Sequence, residues 1–397
     1  MKLVALETLR PAFQPNVCMV LLHTDEGLTG LGEAYFSPTA VEAYLHDSAA
    51  PLVLGQDDLG PERLAGLLEP YVGYQGGGIE KRALGAIDIA LWDLLGKRAE
   101  LPVAELLGGP VRDDIRIYNT CAGPGYVSQT ARQHSSNWGL GTTGRYEDLR
   151  AFLTRPAELT EDLLAQGVTG MKVWPFDSYA EASRGTEITP IDLADGLRVI
   201  EQIRSVAGPA DMAIMVELHG LWSRPAATRI CQALAPYEPY WVEDPLRGDA
   251  VDAFARLAAD VDVPVATGET CVGTRGFLPL LRTGAIDVVT VDTQWTGGIT
   301  HARKVAALAE TFGVPLAPHD CTGPVSFAAC CHLVLSQPNG LIQETVRAFL
   351  HTWYGELVDG LPEVADGTVR LSRRPGLGVD LADRMNAPDV ARRVTRL

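Results

Sequence analysis

The apolar positions along the chain change rhythm twice. Residues 17–23 are short and apolar, Asp25-Glu26-Gly27 reads as a turn, and apolar residues resume over 28–34. This predicts strands joined by a hairpin within the first 35 residues. From about Pro38 to Gly108 the spacing becomes helical. Ile79, Ala83, Ile87, Ala90, Leu91 and Leu94 recur every three or four positions, which predicts a helix with one apolar side. Gly96 and Gly108-Gly109-Pro110 are the predicted stops. Eight short apolar segments follow, at 116–119, 170–174, 213–218, 240–243, 263–267, 288–291, 314–317 and 341–343. Helix-like stretches such as 192–206, 225–234, 249–260 and 299–312 separate most of them. That alternation predicts a closed (β/α)8 barrel, with a doubly wound open sheet as the competing arrangement. Residues 121–154 form an insertion after the first strand, suited to covering the barrel mouth or to an oligomer contact. Beyond about residue 350 the barrel rhythm is exhausted, and strand-like pieces such as 368–371 predict a return to the N-terminal domain.

Composition narrows the class. A hydrophobic content of 46% against 21% charged residues supplies a core and argues against disorder. The formal net charge of −17 opposes a phosphate-tracking surface, so no nucleic-acid partner is expected. An anionic substrate stays open, because a bound metal reverses the sign locally. No run of about 18 apolar residues occurs, so neither a membrane span nor a signal peptide is expected. The seven cysteines are odd in number and lack zinc-type pairs, which favours a reduced, cytoplasmic enzyme over a disulfide scaffold.

The candidate chemistry lies at the strand ends. Glu217, Glu243 and Glu269 are spaced 26 residues apart, ending the segments MAIMVELHG, YWVEDP and VPVATGET. Successive strand ends of a barrel are neighbours at its catalytic face. Three converging carboxylates repel one another and resist desolvation, and a divalent cation resolves both problems. An all-oxygen ligand set favours Mg²⁺, with Mn²⁺ also acceptable. Asp292 and His319 end the next two strands, which places a carboxylate beside an imidazole and makes His319 a candidate base. Glu344 ends the eighth strand and is a candidate partner for a substrate carboxylate, if protonated or suitably paired. Lys172 ends the second strand and can collect developing negative charge, or form a salt bridge to a neighbouring strand-end acid. His219 lies two residues past Glu217; in a regular strand both would face the mouth, as a second ligand or, in the preferred reading, an acid near the metal. Trp174, Phe176, Trp222 and Trp295 are candidate pocket aromatics. Asp320 is a candidate contact for a substrate hydroxyl or a cap of the next helix, and Arg198 is a weaker candidate.

The constellation resembles the enolase superfamily, in its mandelate racemase/muconate lactonizing enzyme branch, over nearly the whole chain. The resemblance rests on AIDIALWDLLGKRAELPVAELLGG at 86–109, then VEDP, GET, the strand-six Asp, the strand-seven His, the late QE and the terminal PGLGVDL. It implies a modified (β/α)7β barrel with an α+β capping domain: 1–113 as cap, 114–350 as catalytic barrel and 351–397 returning to the cap. It implies Glu217, Glu243 and Glu269 as Mg²⁺ ligands, an Asp292–His319 dyad, and Glu344 facing the substrate carboxylate. Lys172 matches the first lysine of the family's Lys-x-Lys motif, but the second position is Trp174. The acid-x-His at Glu217–His219 resembles the galactonate- and mannonate-type acid-sugar dehydratases, where the acid is usually Asp. The implied reaction is loss of water from an aldonate: His319 takes the α-proton, His219 protonates the departing 3-hydroxyl, and Lys172 and Glu344 help hold the carboxylate. Cap residues near 23–35 and the insertion would close over the sugar tail. An anhydrosugar-acid cycloisomerase, a racemase or epimerase, and a non-catalytic scaffold are the alternatives. The family also implies a homo-oligomer.

Overall fold

Strands β1 (Leu3–Pro11), β2 (Val17–Thr24) and β3 (Thr29–Tyr35) form an antiparallel meander whose apolar side chains are almost all buried. The hairpin falls where the pattern placed it. The computed structural model describes residues 1–69, 77–130, 132–141 and 144–397. Helices occupy much of the predicted helical region, and its residues 70–76 lie outside the described ones.

The barrel strands run parallel in the order β4 (Ile115–Thr120), β5 (Gly170–Val173), β6 (Ala213–Glu217), β7 (Trp241–Glu243), β8 (Val265–Thr267) and β9 (Val288–Val289). Residues 314–317 continue the ring through the bridges Val289↔Leu316 and Leu316↔Gly340. β10 (Gln343–Thr345) then pairs back onto β4, with Glu344 opposite Tyr118, and the ring is closed. An open sheet is thereby excluded. Tyr118, Met215, Trp241, Ala266, Val288, Ala317 and Ile342 plug the interior, with Tyr118 and Trp241 meeting edge to face at 5.5 Å. Directly after β10 come two four-residue α-helices, Arg347–Leu350 and Tyr354–Leu357, in place of an eighth full helix.

The tail meets the barrel before it meets the cap. β11 (Val358–Asp359) will later pair with β14 (Asp380–Leu381). Between them, β12 (Glu363–Ala365) and β13 (Thr368–Arg370) form a hairpin that extends the barrel sheet at the start of β4. Leu377 then donates its N–H to Asp93 at 2.8 Å, and β15 (Val390–Arg396) pairs antiparallel with β1.

The helix Ile79–Ala99 differs from its prediction. It is buried nearly all round rather than along one stripe, because it is wedged between the cap sheet and the barrel helices. It also runs through Gly96 and ends where Glu100 turns left-handed (φ 56°).

The wedged helix and β3 beside it hold two barrel helices by their N-termini. The helices Ile299–Thr311 and Pro324–Ser336 have glycine at the N-cap, Gly298 and Gly323, so neither can cap itself with a side chain. The cap domain supplies the missing carboxylates. Asp88 accepts the Thr300 N–H at 2.9 Å; Glu33 accepts the Val325 N–H at 3.2 Å and the Ser326 hydroxyl at 3.0 Å. A Cβ at Gly298 would lie 2.2 Å from Asp88, and one at Gly323 would lie 2.3 Å from Glu33. These helices follow the strand ends that carry Asp292 and His319, so cap docking and dyad position are mechanically linked.

Burial, only partly offset by the Val325 and Ser326 hydrogen bonds, pushes the Glu33 carboxyl from 4.5 to about 7. A raised folded value means that the protonated acid is favoured on folding. The Glu33 contribution is therefore full below about pH 4.5 and is lost as pH rises through about 7. Glu33→Gln is expected to lower Tm more at pH 5 than at pH 8, a difference worth at most on the order of 3 kcal/mol. Thermal melts of both proteins at the two pH values check it, and an equal deficit would refute it.

Candidate active site

The plug of the barrel leaves the C-terminal strand ends as the floor of a polar site. Glu217 and Glu243 are the last residues of β6 and β7 and stand directly opposite each other in register. Glu269 lies two residues beyond β8. One carboxylate oxygen from each lies within 4.8 Å of the others. The Glu217 side chain accepts the His219 backbone N–H at 2.6 Å, and Glu243 accepts the Trp241 indole N–H at 2.9 Å. Glu217 Oε2 and Glu243 Oε1 are buried with no hydrogen-bond partner, although Lys172 Nζ stands 3.6 Å and 3.3 Å away. Buried anionic oxygens without partners are costly. Burial pushes Glu243 up to about 8, against the pull of Lys172, and Glu269 up to about 7, against that of His319. The residues fit a divalent cation: three hard oxygen donors, unmet valence and excess negative charge suit Mg²⁺ or Mn²⁺.

Lys172 also reaches Glu344 Oε1 at 2.9 Å, so it bridges the triad and the eighth strand. Glu344 accepts the Thr120 hydroxyl as well, and its other oxygen accepts the Asp320 N–H at 2.7 Å. Burial alone would raise its pKa, but Lys172, His319 and these hydrogen bonds outweigh it and hold the carboxyl at about 2. Of the two states anticipated for Glu344, these contacts favour the carboxylate paired with Lys172 over the neutral acid.

Asp292 and His319 face each other across a backbone bridge, with Asp292 Oδ2 2.8 Å from His319 Nδ1. Asp292 Oδ1 accepts the Gln294 and Trp295 N–H groups at 2.7 Å each, which fixes the carboxylate. The imidazole's Nδ1–H therefore points at Asp292, and Nε2 points toward Glu269 Oε2 at 3.3 Å. Burial disfavours the imidazolium, yet Glu269, Glu344 and Asp292 together hold it well above its ordinary value. A cation among the three glutamates cancels the leading one of those attractions.

His219 reaches the site by a different route from the one expected. β6 ends at Glu217, and His219 adopts a left-handed backbone (φ 48°), so strand alternation does not place its ring. Its Nδ1 lies 2.8 Å from Asp177 Oδ2. Burial opposes its charge, but Asp177 and Glu217 raise it to about 9. His219 follows the third barrel strand and His319 the seventh, four strands apart in a ring of eight. They occupy opposite walls.

Comparison with known proteins agrees with this geometry. The pattern of the mandelate racemase/muconate lactonizing enzyme N-terminal domain matches residues 5–108, and that of the enolase C-terminal domain-like family matches residues 155–385. The chain belongs to the mandelate racemase/muconate lactonizing enzyme branch of the enolase superfamily. It is 32% identical to the D-galactonate dehydratase of Ralstonia nicotianae, over 98% of this chain and 96% of that protein. Among solved structures it resembles an enolase of the mandelate racemase subgroup from Agrobacterium tumefaciens, with TM-score 0.89, 42% identity, and coverage of 100% and 99% of the two chains. An enolase protein from Sargasso Sea environmental sequencing gives TM-score 0.89, 40% identity and the same coverage.

Within this family frame the remaining candidates separate. Trp295 lies over the His319 ring at 5.0 Å, with Arg82 stacked on it at 4.6 Å and Phe36 at 5.7 Å. Trp174, at the position of the family's second lysine, meets His219 edge to face at 5.9 Å. Trp222 is buried with its indole N–H unpartnered. Phe176 does not join the pocket; its ring presses on Gly196 of the helix Pro190–Val206. Arg198 lies on the outer face of that helix, paired with Asp195. Asp320 does not cap the next helix, since Glu33 occupies that place; Asp320 accepts the Thr322 hydroxyl at 3.1 Å and keeps one buried oxygen unpartnered.

Of cap segment 23–35, only the Tyr35 end nears the site, where Tyr35 N–H donates to Gln294 at 2.6 Å. The turn at the other end holds Glu26 against the N-terminus. Sequence reading missed Asp177, Gln133, Thr120 and Arg82. Only Thr120, at a strand end like the others, carried a positional signal.

Protons compete with the metal for raised carboxylates. Mg²⁺ affinity is therefore expected to weaken as pH falls below about 8, with proton release near pH 6.5. Calorimetric titration in two buffers of different ionisation enthalpy measures this. Identical heats in both would refute it.

Proposed function

We propose that the protein is a Mg²⁺-dependent acid-sugar dehydratase, converting an aldonate to a 2-keto-3-deoxy acid. The observation that carries this reading is a base candidate and an acid candidate on opposite walls of one triad, each imidazole anchored through Nδ1 by a carboxylate. Similarity to proteins named D-galactonate dehydratase over almost the full length supports it and suggests D-galactonate as the first probe.

Glu217, Glu243 and Glu269 would hold the cation, which when bound would supply positive charge to the substrate carboxylate, where charge develops as the α-proton leaves. Lys172 stands beside the same carboxylate position, and the Glu344 carboxylate keeps Lys172 charged and in place. His319 removes the C2 proton through Nε2, and Asp292 stabilises the resulting imidazolium. His219 donates a proton to the 3-hydroxyl as the C3–O bond breaks, so one water departs. The C2–C3 enol then takes a proton at C3 and gives up its hydroxyl proton, leaving the 2-keto acid. No redox change occurs. Trp295 and Trp174, packed on the two histidine rings, exclude water from both proton-transfer sites. Trp222 and Asp320 complete the substrate-binding surface in this reading. Residues 1–113 act as cap, 114–350 as barrel and 351–397 as the returning segment. The seven unpaired thiols support a reducing, cytoplasmic setting, and family likeness supports a homo-oligomer with no nucleic-acid or membrane partner.

The test is an acid-sugar library with Mg²⁺, scored for carbonyl product by semicarbazide and for isomers of unchanged mass. A 2-keto product supports the proposal; an unchanged-mass isomer from an anhydrosugar acid, or C2 deuterium exchange without elimination, replaces it with cycloisomerisation or racemisation. His319→Asn is expected to abolish C2 exchange and elimination while Mg²⁺ still binds. His219→Asn is expected to lose elimination by roughly 100-fold or more while C2 exchange persists. Full turnover by either variant refutes its assigned role.

A further inference from the structure

The insertion after β4 reaches the wall that carries His219. Gln133 Nε2 lies 3.1 Å from Asp177 Oδ2, and the Tyr126 hydroxyl holds the other end of that amide at 3.1 Å. Ser135 donates both its N–H and its hydroxyl to Glu181, one helical turn beyond Asp177, which pins the loop to the helix Asp177–Ser183. Asn16 of the cap domain donates to Val127 O, so the loop is held from both sides. Tyr126 packs on Trp174 at 5.1 Å, and Trp174 packs on His219.

Asp177 is 1% exposed, and Oδ2 is the oxygen shared by Gln133 and His219. A carboxylate only accepts, so the hydrogen of that contact resides on His219 Nδ1. The Gln133 amide, 3.4 Å from Nδ1, therefore cannot donate to it and serves Asp177 instead. Nε2 of His219 makes no hydrogen bond among the described residues and remains for a ligand. The left-handed turn at His219 and Gly220 (φ 48° and 63°) fixes the backbone but not the ring, which rotates about its own side-chain bonds. The ring needs a second anchor.

We propose that Asp177, steadied by Gln133 of the insertion, is the positioning residue that turns His219 so that Nδ1–H faces the loop and Nε2 faces the substrate. The insertion thus belongs to the acid arm of the site and is more than a cover. This rests on the acid role of His219 proposed above. It goes beyond that role by assigning the residues that aim the imidazole.

The test has two readouts. Full-length, Mg²⁺-loaded protein labelled with [¹⁵N]histidine is expected to give downfield ring N–H resonances, one of them lost in His319→Asn and another lost in both His219→Asn and Asp177→Asn. With D-galactonate as probe, Asp177→Asn is expected to lower elimination by roughly 10- to 100-fold relative to C2 deuterium exchange, and Gln133→Leu by a smaller factor in the same direction. A folding defect would lower both rates together and leave their ratio unmoved. Persistence of the His219 resonance in Asp177→Asn, or an unchanged ratio in both variants, overturns the proposal. If Asp177→Asn does not fold, absence of a His219 ring N–H resonance in the parent protein overturns it as well. If His219→Asn retains elimination, the acid role fails instead, and the resonances still decide whether Asp177 aims the ring.

Discussion

Mutual repulsion of carboxylates in a dry space governs this protein's architecture. Glu217, Glu243, Glu269, Glu344, Asp292 and Asp320 converge at one end of the barrel, above a plug of aromatic and aliphatic side chains. Lys172 is the cation that three of them share. One ammonium cannot satisfy that much charge, so the triad is left with unpartnered oxygens, and burial, with the neighbouring acids adding to it, raises the Glu243 and Glu269 carboxyls. A divalent ion completes the balance, and the two imidazoles on opposite walls divide what remains. The net charge of −17 counts these site acids together with those of the surface, and Lys172 with a bound divalent cation would offset the site's share.

Much of this was legible in the chain because a βα unit has a nearly constant length. When each strand and helix together take about 25 residues, equivalent positions recur at that interval, and Glu217, Glu243, Glu269, Asp292, His319 and Glu344 fall on it. Asp177 does not. It sits five residues past Lys172 in the first turn of a helix, where an acid ordinarily signals nothing more than a favourable helix start. Gln133 lies in a loop without periodicity, and its partner is 44 residues away. The parity argument for His219 reached the right wall for the wrong reason, since strand geometry had already ended. Glu33 and Asp88 were invisible for another cause. Each satisfies a helix that lies more than 200 residues further along, and only the glycine at each N-cap hinted that the missing group comes from elsewhere.

The replacement of the family's second lysine by Trp174 changes one wall of the site from a proton carrier to a packing surface. That wall no longer offers a basic nitrogen, since an indole N–H only donates, and Trp174 rests instead against the imidazole of His219. The substitution and the histidine are parts of one arrangement: an aromatic plane braces the imidazole, a carboxylate orients it, and the insertion secures both.

The pairing of β15 with β1 has a consequence for how the protein is made. β1 is synthesised before the barrel, and its outer edge is filled by residues 390–396, which follow the barrel. The whole barrel must be synthesised before that edge is covered. Until then the nascent cap carries an open strand of the kind that invites mispairing with other chains. Arg392 and Arg393 join Glu7 and Asp47 only when β15 arrives; until then Glu7 has His23 of β2 as its partner and Asp47 lacks its arginine. Negative charge along the waiting edge then discourages the wrong partner until the correct one emerges.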